Sequence, residues 1–206
     1  MVRFRPRGFT IIEVSLVMAF TLGLLTLIGL YFAKGQRYAT QTRAYVEAHS
    51  CATTIVRRVT DQAYRCTLQQ RDIDADAVVL LSYGALESDL LKVELEFGTG
   101  RIAWKKWVGY YFDSDKKTVF QGELPLTDEL YDLKDDAEPQ LTVTDLRADS
   151  AVKRIPLPGK VRKFRVSTVG NRLRVEVTTE SQAAVSGNES EKQFTVNVTG
   201  EVAIYN

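Results

Sequence analysis

The chain has 206 residues, 27 basic and 26 acidic side chains for a net charge of +1, and 45% hydrophobic residues. So even a balance argues against a protein held to nucleic acid by bulk charge, and its two cysteines allow at most one disulfide. An apolar run near the start excludes an ordinary water-soluble globule: from Phe9 to Ala33 the single side chain charged at neutral pH is Glu13.

Residues 1–8 read as a basic leader to be cleaved, with Arg3, Arg5 and Arg7 and no acid. Basic residues beside a membrane span stay on the cytoplasmic side, which sends the remainder of the chain across the membrane. Without the leader, 24 bases face 26 acids, a net charge of −2. Residues 9–33 would make a helix roughly 37 Å long, enough to cross a hydrocarbon core of about 30 Å. A secretory signal peptide shares the basic start and the apolar run. This run is longer than the usual apolar region, however, and no small-residue cleavage site follows it: the sequence YFAKGQRYATQTR leads straight into an amphipathic helix.

That second helical stretch, residues 34–66, carries Tyr45, Ala48, Ala52, Ile55, Val59, Ala63 and Cys66 at spacings of three and four, with Val56 alongside. This is an apolar stripe on one side of a helix. No proline interrupts Phe9 to Cys66, although Gly23, Gly29 and Gly35 weaken the helix locally. One long helix is expected, its first half in lipid and its second half packed on a head.

Residues 67–206 change to a period of two. Strands are expected at Leu91–Phe97, Ile102–Phe112, Thr118–Leu124, Val161–Val169, Leu173–Thr179 and Phe194–Tyr205. Gly98-Thr99-Gly100, Asp113–Lys117 and Gly170-Asn171 suit hairpin connections. The acidic Asp128–Pro139 and the polar Ser181–Lys192 read as surface loops. Strands covering one side of a helix imply an α+β fold with an antiparallel β-rich globular head.

The stretch richest in functional meaning is Arg7-Gly8-Phe9-Thr10-Ile11-Ile12-Glu13-Val14. A small residue before a scissile bond lets a protease approach the backbone closely. A carboxylate inside an apolar span costs a few kcal/mol at mid-bilayer and less near an end, so Glu13 is a functional candidate. Thr10-Ile11-Ile12-Glu13 also fits a capping box, with Thr10 as N-cap and Glu13 reaching back to its amide.

With the arginine-rich leader in front, this stretch resembles the processing site of type IV prepilins and type II secretion pseudopilins. The resemblance implies a pilin-like fold, cleavage after Gly8 by a prepilin peptidase, N-methylation of the new amine on Phe9, and an assembly role for Glu13. It also implies an inner-membrane assembly platform and other minor and major pilins or pseudopilins as partners. The chain would sit in a bacterial inner membrane with its N-terminus cytoplasmic and its head outside, then pass into a filament. The amphipathic segment ending IVRRVTDQAYRC, followed by WVGYYFDSDKKTVFQGELPL, looks like the J-type minor pseudopilins of type II secretion, and also like related minor pilins of type IV pili. Glu13 argues against the K-type tip pseudopilin, which generally lacks that glutamate. The proline that many type IV pilins carry in the membrane segment is missing here.

The other candidates are weaker. Cys51 and Cys66 would lie about 22 Å apart on a continuous helix, far beyond the roughly 7 Å limit for a bridge, so both read as buried thiols. Asp72-Ile73-Asp74-Ala75-Asp76 opens like a calcium loop, but Ala77 and Tyr83 stand where glycine and glutamate are needed, and a solvated turn fits better. With His49 as the one histidine, neither a His-based triad nor a multi-histidine metal site can be built. No catalytic residue, metal or cofactor site is therefore expected. Charge is uneven: Asp113–Asp149 holds eleven acids and four bases, and Lys153–Arg174 holds eight bases and no acid. Arg172 and Arg174 should share the exposed face of a strand, where a solvated surface, a contact between neighbouring heads and a DNA-contacting face are all open readings.

Overall fold

The computed structural model describes residues 10–64, 66–82, 104–130, 142–183 and 192–203. Helix α1, Ile11–Tyr64, runs unbroken for 54 residues, about 80 Å at about 1.5 Å per residue. Every residue from Ile11 to Thr40 is exposed, and burial begins at Ala44. From there Ala44, Ala48, Ala52, Ile55, Val56, Val59, Gln62 and Ala63 enter the head at the expected spacing of three and four. Tyr45, expected on that stripe, keeps 49% of its surface exposed, and its neighbour Ala44 is buried instead. A small side chain lets the sheet approach the helix where a ring would hold it off.

Two antiparallel sheets follow. The first has strand order β1-β2-β3-β4-β5: β1 (Cys66–Asp74), β2 (Ala77–Ser82), β3 (Trp104–Asp113), β4 (Thr118–Leu130) and β5 (Lys153–Pro156). The second is β6 (Lys160–Val169), β7 (Arg172–Ala183) and β8 (Lys192–Ala203), with β7 central. The α+β class is thus as expected, with antiparallel pairing throughout.

The sheets meet at β6. The two hairpin tips of the first sheet offer the carbonyls of Lys117 and Ala75 to the amides of Val161 (2.8 Å) and Val166 (3.2 Å). One face of each sheet then closes over α1, in a core of Ile55 and Val59 from the helix, Leu80 and Tyr110 from the first sheet, and Phe164, Leu173 and Val175 from the second. Gly200 of β8 lies against Val56, where a methyl group would collide with the helix. Two pairs of buried polar groups meet in the same layer: Thr179 Oγ1 donates to the Ala48 carbonyl at 2.7 Å, and Gln62 Nε2 donates to Ser82 Oγ.

The opposite face of the first sheet is covered by the short helix α2, Val143–Ala148. Leu146 and Val143 pack there with Val79, Leu81, Trp107 and Tyr111. Strand β2 therefore lies between two cores, and all six of its residues are buried.

Several expected boundaries move. The helix stops at Tyr64, so Cys66 opens β1 and does not extend the helical stripe. β4 runs through Leu130, so the first three residues of the supposed loop Asp128–Pro139 are strand. β7 reaches Ala183 and β8 begins at Lys192, which shortens the second supposed loop from both ends. The Asp113–Lys117 and Gly170-Asn171 hairpins form as expected. The Asp113 carboxylate accepts the amides of Asp115 and Lys116, and Gly170 takes a left-handed φ of 60° that suits a glycine. The expected strand Leu91–Phe97 and the Gly98-Thr99-Gly100 turn lie outside the described residues.

Candidate functional site

The N-terminus of α1 holds the residues singled out from sequence. Thr10 is the last residue before the helix, and its amide donates to Glu13 Oε2 at 2.8 Å. The Thr10 hydroxyl donates to the same oxygen at 3.0 Å and accepts the Glu13 amide at 3.3 Å. This is the reciprocal capping box, and it satisfies two of the amides that open a helix. Gly8 and Phe9 lie outside the described residues.

Beyond Glu13, the serine and threonine hydroxyls of the apolar segment are bonded within the helix. The hydroxyls of Ser15, Thr21 and Thr26 each donate to the carbonyl four residues back, those of Ile11, Val17 and Leu22, at 2.7–2.9 Å. Intrahelical bonding of this kind is what a hydrocarbon surround demands of a hydroxyl. The apolar side chains from Ile11 to Phe32 are all exposed, and the segment reaches a mean hydropathy of 2.3 over 18 residues. By length and composition α1 can cross a membrane.

The aspartates of the calcium-like stretch hold helix α2. Asp72 Oδ2 accepts the amide of Val143 at 2.8 Å, and Asp76 pairs with Arg147 at 2.7 Å. Asp74 accepts the Ala75 amide at the β1–β2 turn; the expected turn is confined to Ala75-Asp76, because Asp72–Asp74 is the end of β1. Two of the three carboxylates are thus spent on tertiary contacts, and no group of three metal-ligating side chains gathers among the described residues. At the other end of α2, an Arg154 Nη donates to the carbonyls of Arg147 (3.0 Å) and Asp149 (2.7 Å). Nothing in the period-two pattern announced these roles. The one usable signal was Thr142-Val143-Thr144-Asp145, whose ends form a second capping box.

The basic segment is divided in the same way. Arg154 caps α2, while Arg174 and Arg172 share Glu201 of β8 at 2.5 and 3.7 Å. Both arginines lie on the solvent side of β7, as their alternation with Leu173 and Val175 predicted. A bulge between Val161 and Lys163 shifts the register of β6, so Arg162 and Lys163 are both exposed while Val161 and Phe164 both point inward. Glu180, beside this edge, is held below the usual carboxylate range, first by its hydrogen bond with Lys117 and further by the charges of Lys117 and Arg162.

Cys51 is a free thiol, half-buried against Gly159, which has a left-handed φ of 93°. Burial, and secondarily the Glu47 carboxylate, push its pKa up, so it is a poor nucleophile at neutral pH. His49 is exposed on α1, with Thr53 Oγ1 at 3.4 Å and the Tyr45 ring nearby. No protein-family model, characterised protein or solved structure matches the chain.

Proposed function

We propose that this chain is a minor pilin-like subunit, most specifically the J-type pseudopilin of a type II secretion pseudopilus, which self-assembles at or near a filament tip. The observation that carries the reading is the single helix Ile11–Tyr64. It has a bare apolar half, a carboxylate three residues into it, and a second half that is an integral part of the head core. An anchor that only tethers a catalytic head needs no such shared helix. A subunit that must transmit the position of its head to a filament core does. The sequence around Gly8, Phe9 and Glu13 supplies the processing logic: cleavage frees an amine that can neutralise a carboxylate in a low-dielectric surround. In this reading the protein is not an enzyme and needs no cofactor.

A minor pilin of a type IV pilus, serving adhesion, motility or DNA uptake, is the second reading. The exposed Arg162, Lys163 and Arg165 on β6 favour it to the extent that they could meet an anionic surface. A membrane-tethered enzyme or receptor is the remote one.

Coexpression with a prepilin peptidase tests the reading directly. Intact-mass analysis should show loss of residues 1–8 and a methylated Phe9, and a bulky replacement of Gly8 should block both. A chain that keeps Met1 in that host would contradict the proposal.

A further inference from the structure

The bare part of α1 has a marked end. Counting about 20 residues for a hydrocarbon core of about 30 Å places the core from Ile11 to about Leu30. The next residues are Tyr31, Phe32 and Lys34, and Tyr38 follows one turn later; both tyrosines and Phe32 are largely exposed. The headgroup layer spans about 5–7 Å per leaflet, or roughly four residues of helix. Side chains on a helix tilt toward its N-terminus, so at this end of the span they lean back toward lipid. Lys34 and Tyr38 thus reach into the headgroup layer although their backbones lie at or beyond its outer edge.

Tyr31, Lys34 and Tyr38 are three and four residues apart and share one helix face. Between Glu13 and Glu47 the chain has no acid, so Lys34 has no carboxylate within four residues on either side. It also stands on the side of the span where the bias toward cytoplasmic bases does not call for it. An ammonium with a long apolar stem, between two rings with polar tips, suits a boundary between hydrocarbon and phosphate.

We propose that Tyr31, Lys34 and Tyr38 form an interfacial collar that binds the phosphate of an anionic phospholipid and fixes the depth of α1 in the bilayer. The collar rests on the reading of α1 as a membrane span, and not on the filament in which the subunit ends. Its occupant is lipid: the helix stays exposed on all sides as far as Thr40, and the head begins to cover it at Ala44. Ala44 then lies six positions, about 9 Å of helix, beyond Tyr38, so the collar would also set the height of the head above the membrane.

The test uses the full chain reconstituted in phosphatidylcholine vesicles containing a trace of spin-labelled phosphatidylglycerol or spin-labelled phosphatidylcholine. The fraction of motionally restricted label gives the relative affinity of the two lipids. The wild type should prefer phosphatidylglycerol, Lys34→Gln should lower that preference about fivefold, and Lys34→Arg should retain it. Stable integration with the same preference in wild type and Lys34→Gln overturns the collar alone. Release of the chain by alkaline carbonate overturns the spanning reading together with the collar.

Discussion

Leu146 of α2 is keyed into the backbone of Gly109: a Cβ on Gly109 would lie 2.5 Å from Leu146 Cδ2. Gly122, directly across the β3–β4 ladder, would place its Cβ 2.5 Å from Leu146 Cδ1. The two glycines form the hollow that lets a six-residue helix sit on the sheet. Leu146 is fully buried, and a Cβ on Gly109 would also come within 3.1 Å of the Val78 carbonyl oxygen, a backbone atom that cannot swing aside. Gly109→Ala should therefore lift α2 and destabilise the head by about 1–3 kcal/mol, the usual cost of overpacking. Leu146→Ala should cost about 2–5 kcal/mol by leaving a cavity. The double variant should cost clearly less than the two together, because the added methyl enters the vacated space. Urea unfolding of the full chain in mild detergent gives the cycle, and strict additivity would mean that the two residues do not meet.

This contact also shows where sequence reasoning falls short. Strands β6, β7 and β8 were legible because one face of each is polar, which leaves a period of two; β3 and β4 had only their aromatic and apolar content to mark them, since both pack into the two cores. β2 was not legible: Ala77–Ser82 is buried on both faces, so its sequence AVVLLS carries no alternation. β5 is four residues long, too short for any periodicity to show. Helix α2 is only six residues long within the acid-rich Asp113–Asp149, and Asp72 and Asp76 hold it from about 70 residues away in the chain. No local pattern can report a partner at that distance. At the N-terminus the reverse held: the capping box is entirely local, and Thr10 and Glu13 form it as their spacing implied.

Acid should weaken the head over a defined range. Asp145 is held below its ordinary pKa, chiefly by the Thr142 hydroxyl and then by the Thr142 amide. Asp113 is lowered chiefly by the Lys116 amide, and Glu180 by Lys117. A carboxylate with a depressed native pKa contributes stability that is present above its unfolded value and lost as pH falls through the native one. The thermal midpoint should thus be nearly flat above about pH 4.5 as far as these groups are concerned, and fall below about pH 4. Asp145→Asn, which can still accept the Thr142 amide, should make that acid limb shallower. An unchanged limb in the variant would show that the cap does not contribute.

A fragment beginning near Gln36 should fold alone as a soluble monomer. Of the described residues it discards only Thr10 and exposed helix, since burial begins at Ala44, and it keeps both cores intact. It should unfold cooperatively and show mixed helix and sheet by circular dichroism. A fragment starting near Thr54 would lose Ala48 and Ala52, along with the carbonyl that accepts the Thr179 hydroxyl. It should aggregate or melt far lower. Equal stability of the two fragments would mean that the first turns of the buried half add nothing.

The last prediction separates the two roles open to Glu13. In the single chain its carboxylate is a helix cap held by Thr10. In a packed filament it would also face the freed amine of a neighbour's Phe9, with both groups out of water. A glutamine at this position can still accept hydrogen bonds from the Thr10 amide and hydroxyl, but it has no charge to offer an amine. Glu13→Gln should therefore be made, inserted and clipped normally, with helix α1 unaltered, yet be excluded from assemblies. Removing one member of a desolvated charge pair typically costs about 3–5 kcal/mol, because the other is left buried alone. Glu13→Ala should fail in the same way, whereas Thr10→Ala, which weakens the cap and keeps the charge, should still assemble. The measurement is recovery of each variant with the other pilins encoded beside it, after mild crosslinking in cells. If Glu13→Gln assembles like the wild type while Thr10→Ala and Glu13→Ala do not, the carboxylate serves only to start the helix.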